Sequence, residues 1–206
     1  MRQYELLLVA SLVSVAGCGV IGGSSIKPTS VNPSRAASAT IELLDKDANG
    51  LLTASELAAS PGLLSSLADC DTSGDKQLDR DEIAARLSEM YSDGASLTSF
   101  DCRVLLDNRP LKGAEVRLVP ESFLGDAVKA GSGVTDGAGN VSIGIADEDL
   151  PEAARGLKKM QVGIFRVEIT HPSVKIPAKF NTQTILGHTI LPTDPEQLVA
   201  FRLQSK

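Results

Sequence analysis

Residues 45–56, which read DKDANGLLTASE, decide how the rest of the chain is interpreted. Calcium takes about six to eight oxygen ligands at about 2.3–2.6 Å, and a loop of this design supplies them from positions 1, 3, 5, 7, 9 and 12. Gly50 at position 6 permits the positive φ that the sharp turn of such a loop requires. The stretch therefore predicts a calcium site whose ligands are Asp45, Asp47, Asn49, the backbone carbonyl of Leu51, Thr53 and Glu56.

A second stretch of the same design lies at residues 71–82, which read DTSGDKQLDRDE. A register that starts at Asp69 would put a glycine at position 6, but it would put Arg80 at position 12, where a carboxylate is needed. The register chosen here has Glu82 at position 12 and Lys76 at position 6, where a non-glycine residue costs roughly 1–2 kcal/mol. We expect a second, weaker calcium site with the ligands Asp71, Ser73, Asp75, the carbonyl of Gln77, Asp79 and Glu82. The alternative is a pair of Asp-rich turns that bind no metal.

Together the two stretches resemble the EF-hand family, in its bacterial extracytoplasmic branch, over residues 34–92. The resemblance implies short helices around each loop. Leu52 and Leu78 both occupy position 8, where family members pair their loops through a short antiparallel contact. We expect Ser34 to cap the first helix, a capping box inside each loop to begin the next, and Ser60 to begin a further helix between them.

The N-terminus has the pattern of a targeting segment. Arg2 precedes an apolar run at residues 6–16, which is too short to span a bilayer and has the length of a signal-peptide core. The run leads into VAGC at residues 15–18, which resembles the bacterial lipobox, where a cysteine is lipidated and becomes the mature N-terminus. The alternative is an ordinary signal peptide that is cleaved nearby.

The lipobox resemblance implies an address in the bacterial cell envelope, either periplasmic or at the cell surface. We expect residues 1–17 to be removed as a lipoprotein signal peptide and Cys18 to carry the lipid that anchors the protein to the membrane. Residues 18–33, rich in Gly, Ser and Pro, are predicted to form a flexible tether between the lipid and the folded part.

Cys70 and Cys102 are the two cysteines left after lipidation. In an oxidising compartment a disulfide between them would persist. Two buried free thiols are an equal alternative, because the sequence does not give the Cα separation that a disulfide needs.

From Leu97 onward the apolar residues alternate with polar ones, which is the period of a β-strand. We expect about seven short strands with frequent turns, which indicates a Greek-key sandwich. The predicted pieces are a hairpin of residues 102–106 and 116–118 across a turn at 108–113, a hairpin around the turn 136–140, a helical turn or structured loop at 147–156, and strands at 162–170, 183–190 and 198–203.

This second half, residues 97–206, resembles a bacterial carboxypeptidase regulatory-like, or transthyretin-like, domain. Three segments carry the resemblance: LKGAEVRLVP at 111–120, TDGAGN at 135–140 and GIFRVEI at 163–169. Phe165 stands where the family usually has Tyr, and the family's glycine before the first segment is missing. The resemblance implies a two-domain α + β protein, in which a small helical EF-hand pair precedes an all-β Greek-key sandwich, and it implies no chemistry in the second domain.

Composition excludes several classes of function. The net charge of the 206-residue chain is −6 and acidic residues concentrate in the two loops, so we expect no nucleic-acid partner. The chain has no Trp and 3% aromatic residues, which argues against a stacking platform for sugars or bases. His171 and His188 lie outside any catalytic motif, and no HExxH, CxxC or phosphate loop is present, so we expect no enzyme.

The sequence thus predicts a calcium-binding, membrane-anchored lipoprotein with a structural or adhesive role. Two alternatives belong to other classes. One is a dockerin-like module whose helices bind a partner protein, and the other is an accessory or regulatory subunit of an enzyme encoded elsewhere. The first alternative requires an exposed apolar patch on the helices.

Overall fold

The computed structural model describes residues 31–92, 94, 97–192 and 198–206. The predicted signal peptide, Cys18 and most of the predicted tether lie outside these residues. Within the described part, no helix is long and apolar enough to cross a membrane. The fold is mixed α + β, with a helical part up to Tyr91 followed by a part built mainly of antiparallel strands.

Between residues 31 and 91, the helical part contains five short helices and one short ladder of two strands. Its elements are α1 (Pro33–Leu44), β1 (Leu51–Leu52), α2 (Ala54–Leu57), α3 (Pro61–Ser65), α4 (Leu67–Cys70), β2 (Leu78–Asp79) and α5 (Arg80–Met90). Helices α1 and α5 pack against each other. The apolar side chains of α5 at Ile83, Leu87 and Met90 are buried in the core.

Capping side chains set where these helices begin, although one predicted cap is wrong. Asn32, not Ser34, caps α1: its side-chain oxygen accepts the Arg35 N–H at 2.9 Å, and Pro33 occupies the first helical position, where its missing N–H costs nothing. Capping boxes begin α2 and α5, as predicted. Ser60 does precede α3, but its side chain makes no capping hydrogen bond.

Over its described residues, the β-rich part has ten strands and four short 3₁₀ turns. The strands are β3 (Leu97–Thr98), β4 (Phe100–Leu106), β5 (Arg109–Pro110), β6 (Glu115–Pro120), β7 (Gly131–Val134), β8 (Asn140–Ile145), β9 (Met160–Gln161), β10 (Gly163–Thr170), β11 (Gly187–Ile190) and β12 (Val199–Leu203). The turns are Ser122–Ala127, Asp147–Asp149, Glu152–Ala154 and Ala178–Phe180. The main sheet has the order β11-β10-β6-β7-β8-β4-β12, with β5 also on β4. Its neighbours are antiparallel except for the parallel pair of β12 and β4.

The predicted hairpin of residues 102–106 and 116–118 is wrong. Strand β4 turns back onto β5 through Asp107 and Asn108, whose φ angles of 49° and 63° suit a tight two-residue turn. Strand β6 then pairs with β7 and β10 instead of β4. The second predicted hairpin is present as β7 and β8, and residues 147–156 form 3₁₀ turns within a loop.

The two end strands of the main sheet approach each other, so that the sheet curves into a half-barrel. On β11, the His188 ring lies 4.9 Å from the Phe100 ring and 6.4 Å from the Phe201 ring of β12. The strand predicted at residues 183–190 begins only at Gly187. Residues 181–184 form a turn instead, in which the Thr184 N–H donates to the Asn181 carbonyl.

One continuous core joins the helical part to the sheet. Helix α3 packs on β10 and β11, and the buried side chains of both parts form a single cluster. This packing explains the three consecutive buried residues Gly163, Ile164 and Phe165 at the start of β10, because α3 covers the face that would otherwise be exposed. The break in alternation near Phe165, visible in the sequence, is therefore a sign of this contact.

Candidate metal centre

The first loop, residues 45–56, is closed by hydrogen bonds from its backbone to its own carboxylates. Asp45 accepts the Gly50 N–H at 2.9 Å, and Asp47 accepts the Asn49 N–H at 3.2 Å. The Asn49 side-chain oxygen accepts the Leu51 N–H at 2.7 Å. These bonds turn the chain around one centre, so that the polar side chains of positions 1, 3 and 5 are held by the loop itself.

Glu56 reaches back from α2 to the start of the loop. One oxygen accepts the Lys46 N–H at 2.9 Å, and the other accepts the Thr53 N–H at 2.9 Å and the Thr53 hydroxyl at 2.8 Å. The hydrogen bonds from Thr53, and then that from Lys46, lower the pKa of the Glu56 carboxyl. The residue is 7% exposed, so a carboxylate closes the loop from its inner side.

Three carboxylates of this loop converge. Ligand oxygens of Asp45, Asp47 and Glu56 all lie within 4.8 Å of one another. Two oxygens on opposite sides of one calcium ion would be about 4.6–5.2 Å apart, since each lies about 2.3–2.6 Å from the ion. The group could therefore hold a metal ion, and three acidic ligands suit a hard divalent cation.

The second loop, residues 71–82, repeats most of these hydrogen bonds at the same positions. Asp71 accepts the Lys76 N–H at 2.8 Å, and Asp75 accepts the Gln77 N–H at 2.8 Å. Glu82 accepts the N–H groups of Thr72 at 3.0 Å, Ser73 at 2.9 Å and Asp79 at 3.2 Å. The repetition supports the register that starts at Asp71 over the one that starts at Asp69.

Lys76 occupies the left-handed region, as its place at position 6 predicts. Its φ is 65°, and that of Gly50 in the first loop is 82°. Position 4 also has a positive φ in both loops, 59° at Ala48 and 80° at Gly74. Sequence reasoning missed this feature at Ala48, because alanine gives no signal for a left-handed conformation.

The two loops differ in how their carboxylates are used. Position 3 of the second loop is Ser73, whose hydroxyl donates to Asp71 at 3.2 Å. Asp79 accepts the Asp81 and Glu82 N–H groups, both at 2.8 Å, and so caps α5. In the parts of the chain that the structure describes, the only close group of three possible metal-ligating side chains of this kind is the one in the first loop.

Asp71 is held as a carboxylate by its neighbours. Burial raises the pKa of its carboxyl, but the hydrogen bonds from Lys76, Gly74 and Ser73 outweigh that effect, and the pKa lies below its ordinary value.

Four further predicted ligands occupy the remaining positions. In the first loop, Asn49 lies at position 5, Leu51 at position 7 and Thr53 at position 9; in the second loop, Gln77 lies at position 7. Asn49 and Thr53 are engaged in the hydrogen bonds described above.

A short ladder joins the loops. Strands β1 and β2 are antiparallel, and they pair Leu52 with Leu78 and Leu51 with Asp79. Both Leu52 and Leu78 are fully buried. This is the contact that their shared position in the two loops predicts, and it fixes the loops side by side.

The cysteines and His171 are buried or hydrogen-bonded to the backbone. Cys70 and Cys102 are both buried free thiols, and burial raises their pKa values to about 11 and about 12. The His171 Nδ1 accepts the Ser173 and Val174 N–H groups, so its Nε2 carries the proton and donates to the Lys112 carbonyl at 2.9 Å. These two nitrogens therefore serve to fix the loop after β10.

Comparison with known proteins identifies no family. No protein-family model, no curated protein and no solved structure matches the chain.

Proposed function

We propose that this protein binds calcium, with a tighter site in the first loop and a weaker site in the second. The convergence of Asp45, Asp47 and Glu56 to within 4.8 Å is the observation that carries the proposal. A separation within 4.8 Å allows one ion to contact all three carboxylates, and the matching hydrogen bonds of the second loop support a pair of sites of one design. In this proposal the helical part is an EF-hand pair, and the β-rich part is a transthyretin-like domain of the Greek-key sandwich class.

The role proposed for the metal is structural or adhesive. Calcium that binds only the folded loops would contribute to the folding free energy of the helical part, whose core is shared with the sheet. A dockerin-like role has less support, because the apolar stripe of α5 is buried. On the described helices, Leu43 is the only large hydrophobic side chain that is strongly exposed. A catalytic role also has little support, since His171 is held by backbone groups and His188 by two aromatic rings.

The proposed location is the bacterial cell envelope, with the protein anchored through a lipid on Cys18. The support is the VAGC motif after an apolar run of signal-peptide length. Cys18→Ala should abolish lipid labelling and release the protein from the membrane fraction, whereas Ser24→Ala should leave both unchanged. A Cys18→Ala protein that stays with the membrane as the parent does would contradict the anchor.

A melting experiment tests calcium binding in the full chain. Because a ligand that binds the folded state stabilises it by mass action, the melting temperature should rise with calcium and fall again with chelator. Magnesium should act more weakly, since it demands about six ligands in near-octahedral geometry at about 2.0–2.1 Å. Equal melting temperatures in calcium and chelator would refute the proposal.

A further inference from the structure

The connector, residues 57–70, joins the two candidate sites. It runs from Glu56, the last predicted ligand of the first loop, to Asp71, the first predicted ligand of the second. Its central helix is α3, which packs on β10 and β11 with Pro61, Gly62 and Leu63 buried. The segment that sets the spacing between the loops is therefore itself held by the sheet.

The contact between α3 and the sheet is made by backbone against backbone. A Cβ atom added to Gly187 of β11 would overlap the carbonyl group of Pro61. A Cβ added to Gly62 would lie 2.8 Å from the carbonyl oxygen of Phe165, closer than real Cβ atoms come. Since neither position has room for a side chain, the docked position of α3 is sharply defined.

Buried polar contacts reinforce this position. The Gly62 N–H donates to a carboxylate oxygen of Glu121 at 2.8 Å, and Glu121 is 4% exposed. The hydroxyls of Ser66 and Thr189 share a hydrogen bond, and Ser66 is 2% exposed. Displacement of α3 without entry of water would leave these groups unsatisfied, which is costly for buried polar groups and most costly for a carboxylate.

We propose that docking of α3 on the sheet is thermodynamically coupled to calcium binding in the two loops. Glu121 and Gly187 then act as positioning residues for the metal centre, although neither belongs to a loop. Any shift of α3 is passed along the connector to Glu56, which precedes it, and to Asp71, which follows it. Bound calcium must in turn stabilise the docked state by the same factor, because such coupling is reciprocal. This inference rests on the proposed calcium binding.

A matched pair of glycine substitutions tests the coupling by calorimetric titration of the full chain. Gly187→Ala introduces a methyl group that must push Pro61 away from β11. Gly137→Ala is the control, because a Cβ at Gly137 would meet nothing within 4 Å. We expect Gly187→Ala to weaken calcium affinity about fivefold or more, the lower end of typical couplings, and Gly137→Ala to match the parent.

The outcomes separate the two proposals. A parent that binds no calcium refutes the proposed function itself. A parent that binds calcium, together with a folded Gly187→Ala protein of equal affinity, refutes only the coupling. If Gly187→Ala does not fold, Glu121→Ala replaces it, with Glu121→Gln as the conservative variant that keeps an acceptor for Gly62 and should restore affinity.

The reciprocal effect can be measured without any substitution. Saturating calcium should slow hydrogen exchange of the Leu64 and Ser66 amides, which are bonded within and at the end of α3, about fivefold or more. The Asp107 amide, bonded to Leu203 in the turn after β4, serves as an internal reference and should change little. Unchanged exchange in α3 on calcium binding would overturn the coupling.

Discussion

Leu52 and Leu78 lie directly opposite each other in the ladder that joins the two loops, and both are fully buried. Each leucine follows the residue at position 7 of its loop, whose carbonyl is a predicted ligand. The pair therefore places the apolar contact between the loops immediately beside the candidate metal centre. Changes at these leucines should affect the stability of the protein and the affinity of both sites together.

Leu78→Ala should destabilise the protein by about 2–5 kcal/mol, because it removes a buried side chain and leaves a cavity. Urea unfolding in chelator measures the loss. Leu43→Ala is the matched control, since Leu43 is 58% exposed and its truncation should cost less than about 0.5 kcal/mol. Similar losses for both substitutions would show that the ladder does not hold the loops together.

Lys76→Gly should stabilise the protein and tighten the second site. The strain of a non-glycine residue at a φ of 65° is roughly 1–2 kcal/mol, which exceeds the roughly 0.5–1 kcal/mol entropic cost of glycine. The change also removes a positive charge from the loop. Lys46→Gly in the first loop removes the same charge but relieves no strain, because Lys46 does not have a positive φ; it is therefore the control for stability and should gain none. Urea unfolding and calcium titration of both variants decide the point.

Because folding lowers the pKa of Glu56, the free energy of unfolding of the metal-free protein should contain a contribution from Glu56 that decreases at low pH. A carboxyl whose pKa is lower in the folded state stabilises that state fully above its unfolded pKa of about 4.3. That contribution is lost as pH falls through the lower folded value. The difference in unfolding free energy between the parent and Glu56→Gln should therefore shrink below about pH 4.3. A difference that grows on acidification would contradict the assigned hydrogen bonds.

Local chemistry explains why the loops could be predicted from the sequence. The register from Asp71, the positive φ of Lys76 and the pairing of Leu52 with Leu78 all follow from residue types at fixed spacing within about forty residues. The structure differs from the prediction where segments far apart in the chain compete for the same strand-pairing partner. The partners of β6 depend on β10 and β7, and the parallel pairing of β12 with β4 joins segments far apart in the chain.

The docking of α3 illustrates the limit most clearly. In the sequence, Gly62 and Gly187 are only two single glycines, one in a helical segment and one in a strand segment, with nothing to link them. Their meaning comes from contacts across more than a hundred residues, since Gly187 faces the backbone of Pro61 and Gly62, while Gly62 faces the backbone of Phe165. The buried Glu121 was likewise missed, since a single carboxylate at the end of a strand is typical of an exposed residue.

Calorimetric titration of the full chain with calcium, alongside Glu56→Gln, Glu82→Gln and the exposed control Glu42→Gln, tests the central claim most directly. The parent should bind two ions, the tighter at about 10⁻⁴–10⁻³ M or somewhat below, the range of extracellular calcium modules. Glu56→Gln should abolish the tighter event, Glu82→Gln only the weaker one, and Glu42→Gln neither. No heat at millimolar calcium, or binding by Glu56→Gln equal to that of the parent, would contradict the account.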